Sequence, residues 1–181
     1  EPKSFLKILV EKKINGFGAV PVFFEAVSML PEFETADLSS ITMATSGGAP
    51  VTQELQAIWM KKGIIVRQIY GQTECNLVIG SCRSVAPTPI MKMGRAIPGH
   101  KIDIIDQYGE PVARGTIGQI GIKYPHPVMF LRYWNQPEQT NAKFINGYLR
   151  TGDLGVCDED GYFQFVSRDD DIITSSGYRI G

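Results

Sequence analysis

Between residues 41 and 74 the chain reads strand, helix, strand, and this succession limits its fold more than any other feature. "ITMATSGGAP" alternates apolar residues into a glycine pair, and "TQELQAIWMKKG" carries a threonine cap at one end and Gly63 at the other. "IIVRQIYGQTE" then returns to a strand. Two strands joined by a helix over this distance form a parallel crossover unit, since an antiparallel pair needs only a tight turn. Both strands of such a unit end at one edge of the sheet, where open α/β sheets bind ligands. The turns at 46–50 and 70–74 are therefore expected to face one pocket.

Upstream, residues 4–12 read as a helix and "INGFGAVPV" as a short buried strand broken by Pro21. "FFEAVSML" then places Phe23, Phe24, Val27 and Leu30 on one helical face, and "PEFETADLSS" reads as a polar loop. After about residue 84 the pattern changes. "IDIIDQYGEPV", "GTIGQIGIKY" and "GYLRTGDLGVCDEDGYFQFVSR" are short alternating segments divided by Gly, Pro and Asp turns, with helical character only around "NQPEQTNAKF". The fold class is α/β: parallel strand-helix crossover units over 1–84, followed by a small antiparallel β subdomain, a distorted barrel, over 85–166. Residues 167–181 are expected to be a hinge and the start of a further domain. No internal repeat or low-complexity tract occurs.

Composition excludes several function classes. A formal net charge of -1 in 181 residues, with no basic stripe, argues against a nucleic-acid surface. No apolar run approaches the roughly 20 residues of a membrane span, and "EPKSFLKILVEKK" lacks the order of a signal peptide. Three cysteines without a CxxC pair leave at least one free thiol, which fits a reducing, cytoplasmic setting. The two histidines, His100 and His126, lack ligand spacing with any cysteine, which argues against a zinc site; His100 in "IPGHKID" reads as a turn residue leading into a strand.

Three turn-rich sites carry the chemistry: "SGGAP", "YGQTE" and "YLRTGDLG". Gly47 and Gly48 let backbone approach a flat ring, and Tyr70 offers an aromatic face to stack on it. Thr73 can donate to a phosphate oxygen, and Glu74 can hold a magnesium ion bridging phosphates. Asp153 can accept the hydroxyls of a ribose. Each also has a plainer use: a glycine pair and a Thr-Gly-Asp sequence are ordinary turn formers, "DEDGY" is a hairpin turn, and Arg168 with Asp169, Asp170 and Asp171 reads as a solvated charge run. The ordered combination favours a nucleotide site.

In this order and spacing, "SGGAP", "YGQTE", "GYLRTGDLG" and "RDDDIITSSGYRIG" resemble the successive core motifs of the adenylate-forming superfamily: acyl-CoA synthetases, luciferases and peptide-synthetase adenylation domains. "PHPVMFLRYWNQPEQT" and "SSGYRIG" are most similar to the acyl-CoA synthetase branch acting on short, medium or aromatic acids. The resemblance implies part of a large N-terminal domain and two half-reactions. A carboxylate attacks the α-phosphorus of ATP to give an acyl-adenylate, and coenzyme A then displaces AMP.

Position by position, it implies that Gly47, Gly48, Ala49, Pro50 and Tyr70 frame the adenine, Thr73 touches the α-phosphate, and Glu74 binds Mg2+. Asp153 and Arg168 hold the ribose, Asp170 is a hinge, and Gly177 and Arg179 approach coenzyme A. Gly71, where acetate-selective relatives carry tryptophan, implies an acid larger than acetate.

Parts of the family pattern are missing. No Ser/Thr/Gly-rich phosphate loop ending in lysine occurs, and "GYRIG" falls where a mobile C-terminal domain with its lysine begins. The chain is expected to be an internal fragment, inactive alone, whose exposed apolar surface is compatible with self-association. Ser167 for glycine, Gln119 for a common glutamate, Thr174 for lysine or asparagine and Arg132 for glycine are local departures. Two other readings stay open: a nucleotide-binding or interaction module without catalysis, and an adenylation domain that loads a carrier protein.

Overall fold

The computed structural model of the chain describes residues 1–81, 88–89, 91–169, 173–175 and 178–180, the last two stretches as backbone. It contains two compact units, Glu1–Gln68 with Thr174–Ile180, and Ile69–Ile173.

The first unit runs α1 (Pro2–Glu11), β1 (Gly16–Ala19), α2 (Pro21–Ser28), α3 (Pro31–Thr35), β2 (Met43–Ser46), α4 (Gln53–Met60) and the start of β3 (Val66–Gln72). β2 pairs in parallel with β1 and with the first residues of β3, as the crossover pattern requires. Both boundary signals of α4 hold. Thr52 accepts a hydrogen bond from the Leu55 amide at 3.2 Å, and Gly63 takes φ +74 after the last turn. Pro21 opens α2 rather than breaking a strand, because a first-turn residue has no helical partner for an N–H.

The expected polar loop at 31–40 begins as helix α3. Pro31 sits in its first turn and Phe33, only 5% exposed, packs edge-on against Trp59 at 5.0 Å. Trp59 is the centre of this core: Phe24 and Phe17 also surround it, and its indole N–H donates to the Phe24 carbonyl oxygen.

The second unit starts within β3, whose later residues pair antiparallel with β4 (Asn76–Gly80), which in turn pairs with β5 (Arg95–Ala96). β6 (Ile102–Ile105), β7 (Gly118–Lys123), α5 (Pro137–Ala142), β8 (Phe144–Ile145), β9 (Tyr148–Cys157) and β10 (Phe163–Arg168) follow. They give an antiparallel sheet ordered β10-β9-β7-β6, with β8 also on β9. Register shifts between Gln119 and Gly121 and between Phe165 and Ser167 curl it. Val78, Ile79, Ile120, Ile122 and Leu149 fill its core, each 1% exposed or less. "DEDGY" is the β9–β10 hairpin turn, closed by Asp158, and the His100 amide closes a turn on Ile97 ahead of β6. β11 (Ile173–Ser175) and β12 (Tyr178–Ile180) pair with each other. Among the described residues, no helix is long and apolar enough to cross a membrane.

The aromatic cluster predicts that Trp59→Ala costs about 3–5 kcal/mol, read from the urea midpoint, and Trp59→Phe clearly less. Equal losses in both variants would show that the indole N–H, not the packing, carries the contribution.

Candidate functional site

The site is built in the second unit, where β3 ends. A tight connection joins β3 to β4: the Cys75 amide bonds the Gln72 carbonyl at 3.1 Å, and Asn76 takes φ 58, which asparagine tolerates. Gly71 lies at the register shift of this hairpin. A Cβ there would run into the Asn76 carbonyl and come within 2.8 Å of Leu77 Cα, so a side chain at 71 would require this hairpin backbone to shift.

β9 supplies the opposing wall. Thr151 donates to the Ile120 carbonyl at 2.7 Å and accepts from the Asp153 amide at 3.1 Å, which fixes the Thr-Gly-Asp geometry. Gly152 takes φ +77, with its absent Cβ facing the Arg168 guanidinium. Asp153 is only 5% exposed, and both of its carboxylate oxygens accept hydrogen bonds. Its Oδ2 accepts from the Tyr70 hydroxyl and from Gln72 Nε2, each at 2.6 Å, while Oδ1 accepts from Arg168 Nη1 at 2.7 Å. Gln72 Nε2 also donates to the Thr151 carbonyl at 3.0 Å. Burial, and then the Asp153 charge, push the Tyr70 phenol well above its ordinary value of 10.0.

Thr73 is exposed on the connecting turn and Glu74 is half-buried beside it. Glu74 Oε1 accepts from the Tyr133 hydroxyl at 2.5 Å, and the Glu74 carbonyl accepts from the Phe130 amide at 2.9 Å. Tyr133 is oriented in turn by its amide, which donates to Thr140 Oγ1 in α5, and by its ring against Phe130. A cavity of about 360 Å3 opens beside Gly152, with Tyr133, Lys143 and Arg150 among its lining residues.

The structure brings Tyr70, Asp153 and Arg168 together, with Gln72 an addition. Nothing in the sequence singles out Gln72 or Tyr133 for these contacts; Tyr133 lies 59 residues from Glu74. Gly47, Gly48, Ala49 and Pro50 belong to the first unit, in the turn between β2 and α4, where Gly48 takes φ +84 and the Val51 amide donates to Gln68 Oε1. Asp170 and Gly177 lie outside the described residues, as does the side chain of Arg179 in β12. Among the described residues, no group of three or more His, Cys, Asp or Glu side chains could hold a metal ion. The described cysteines, Cys75 and Cys157, are buried free thiols, and burial raises the Cys75 thiol to about 11.

Tyr70 stays neutral in the folded chain while its unfolded counterpart ionises as pH rises past 10.0. Its contribution to stability is therefore complete below that pH and declines above it. Urea unfolding at about pH 9 and about pH 11 should show wild type losing more stability than Tyr70→Phe over that interval. Parallel losses in the two proteins would remove the assignment.

The chain is similar in sequence and fold to known proteins. An acyl--CoA ligase, YtcI of Bacillus subtilis strain 168, is 37% identical over 182 residues, spanning 99% of this chain and 34% of its own length. The chain therefore covers about a third of that relative. ATP-bound MatB from Rhodopseudomonas palustris superposes with a TM-score of 0.84 at 30% identity, over 99% of this chain and 35% of MatB. The amide bond synthetase McbA from Marinactinospora thermotolerans superposes with a TM-score of 0.87 at 26% identity, over 99% of this chain and 37% of McbA. The sequence pattern of the AMP-binding enzymes matches residues 1–134, and the chain belongs to the AMP-binding enzyme family.

Proposed function

We propose that this chain is part of an AMP-forming acid-thiol ligase, which activates a carboxylic acid with ATP and passes the acyl group to coenzyme A. The observation that carries this reading is the buried Asp153 carboxylate, held by Tyr70, Gln72 and Arg168 and reached from the Thr-Gly-Asp turn of β9. A carboxylate so oriented suits a ribose hydroxyl, and an aromatic ring beside it suits a purine. Asp153 and Arg168 hold the ribose, and Tyr70 frames the adenine.

Thr73 donates to the α-phosphate. Glu74 is the residue that would hold Mg2+; one carboxylate alone fits a magnesium ion that arrives with the nucleotide and takes its other ligands from phosphate and water. Bound there, Mg2+ would neutralise phosphate charge. Catalysis of this kind needs positioning and charge stabilisation, not a protein nucleophile, which agrees with the raised, buried Cys75 thiol. Asp170 acts as hinge and Gly177 with Arg179 approaches coenzyme A. A reducing, cytoplasmic setting suits the free thiols.

The acceptor is the step at which similar proteins part company: YtcI is named an acyl--CoA ligase and McbA an amide bond synthetase. An acid larger than acetate remains the proposed substrate, although the hairpin already accounts for Gly71. The activity is proposed for a polypeptide of the relatives' length, of which this chain spans about a third, and these 181 residues alone are expected not to turn over.

Calorimetric titration with a non-hydrolysable acyl-adenylate mimic, carrying a medium-length or aromatic acyl group, tests the reading. Wild type should bind saturably, and Asp153→Asn should weaken binding about tenfold or more, the loss of a charge-assisted hydrogen bond. Binding indifferent to Asp153→Asn would sink the proposal.

A further inference from the structure

Arg168 and Asp169 leave β10 with side chains committed to different partners. Arg168 donates to Asp153 at 2.7 Å, whereas Asp169 Oδ2 accepts from Gln119 Nε2 at 2.5 Å. The Asp169 amide donates to the Gly152 carbonyl at 2.9 Å. Gln119 is 6% exposed, and its carbonyl oxygen accepts from Arg150 Nε at 3.0 Å. Arg150 Nη2 lies 3.9 Å from the same Asp169 oxygen, which closes a ring of three side chains.

The polarity of that ring depends on an amide at 119. Its oxygen faces a guanidinium and its NH2 faces a carboxylate, so both ends are matched. A carboxylate at 119 would offer Asp169 no donor, repel it, and draw Arg150 to itself. Asp169 would then keep only its backbone bond to Gly152, at a half-exposed strand end where fraying is easy.

We propose that Gln119 is a positioning residue: with Arg150 it clamps Asp169 against the Gly152 turn and so holds the neighbouring Arg168 on Asp153. The clamp exists without any ligand. Its effect on nucleotide affinity rests on the reading of Asp153 as a ribose-binding group.

Backbone amide exchange at position 169, followed by NMR, tests the clamp in this chain. Gln119→Glu preserves side-chain size and should speed that exchange at least about fivefold while amides of β6 stay unchanged. Adding Asp169→Asn supplies a donor facing the introduced carboxylate and should return the rate to within about twofold of wild type. An unchanged rate in Gln119→Glu, or no rescue in the double variant, overturns the proposal. An AMP titration of the same proteins forms the second arm: Gln119→Glu should weaken binding about threefold to tenfold, with recovery in the double variant. Faster exchange with unaltered AMP affinity would refute the positioning of Arg168. If wild type binds no AMP while the exchange pattern holds, the nucleotide reading fails and the clamp stands.

Discussion

The second unit depends on one buried charge. The Asp153 and Arg168 side chains are 7% and 11% exposed, and taking such ions out of water costs several kcal/mol each unless attraction and hydrogen bonds offset it. Here the offset comes from three donors on two other strands: Tyr70 and Gln72 from β3, Arg168 from β10. The strand ends are therefore positioned by the charge they must satisfy. That constraint also shapes what can bind. Both acceptor directions of Oδ2 are filled and one of Oδ1 is taken, so under the proposed function a first ribose hydroxyl would meet Oδ1. A second would have to replace the Gln72 amide, which keeps the Thr151 carbonyl as an alternative partner.

Glu74 follows the same logic with less burial. Its carbonyl and its carboxylate are both engaged by the stretch leading into α5, through the Phe130 amide and the Tyr133 hydroxyl. The segment "LRYWNQPEQT" therefore serves to orient Glu74. Thr140 holds the Tyr133 amide, α5 fixes Thr140, and the Tyr133 ring rests on Phe130. A group held from two sides has its orientation fixed by the fold itself.

Much of this is legible in the chain, for identifiable reasons. The β2–α4–β3 crossover can be read because its cap, its terminal glycine and its strand alternation are all local signals. The Thr-Gly-Asp turn and the "DEDGY" hairpin are local too. What stays hidden is long-range: the Gln72–Asp153 contact spans 81 residues, and no spacing rule connects them. Helix α3 escapes a local reading because five residues are too few to show a helical period, and only the packing of Phe33 on Trp59 makes the turn worth forming. Gly71 gives the converse lesson. Its lack of a side chain invites a reading about ligand room, yet in this hairpin the Asn76 carbonyl would have to shift before any Cβ fits.

The run "RDDD" shows why composition alone misleads at such a site. As a string it is a cation beside three anions, which a helix or loop would simply expose to water. In an extended strand end, successive side chains leave on opposite faces, and Arg168 and Asp169 are divided accordingly. Arg168 turns to a buried carboxylate, whereas Asp169 turns to an amide and a second guanidinium. Arg168 and Asp169 thus do not neutralise one another; each is matched across the sheet. An amide at 119 is what allows this, since it can serve Arg150 and Asp169 at once, whereas a carboxylate could serve only the first.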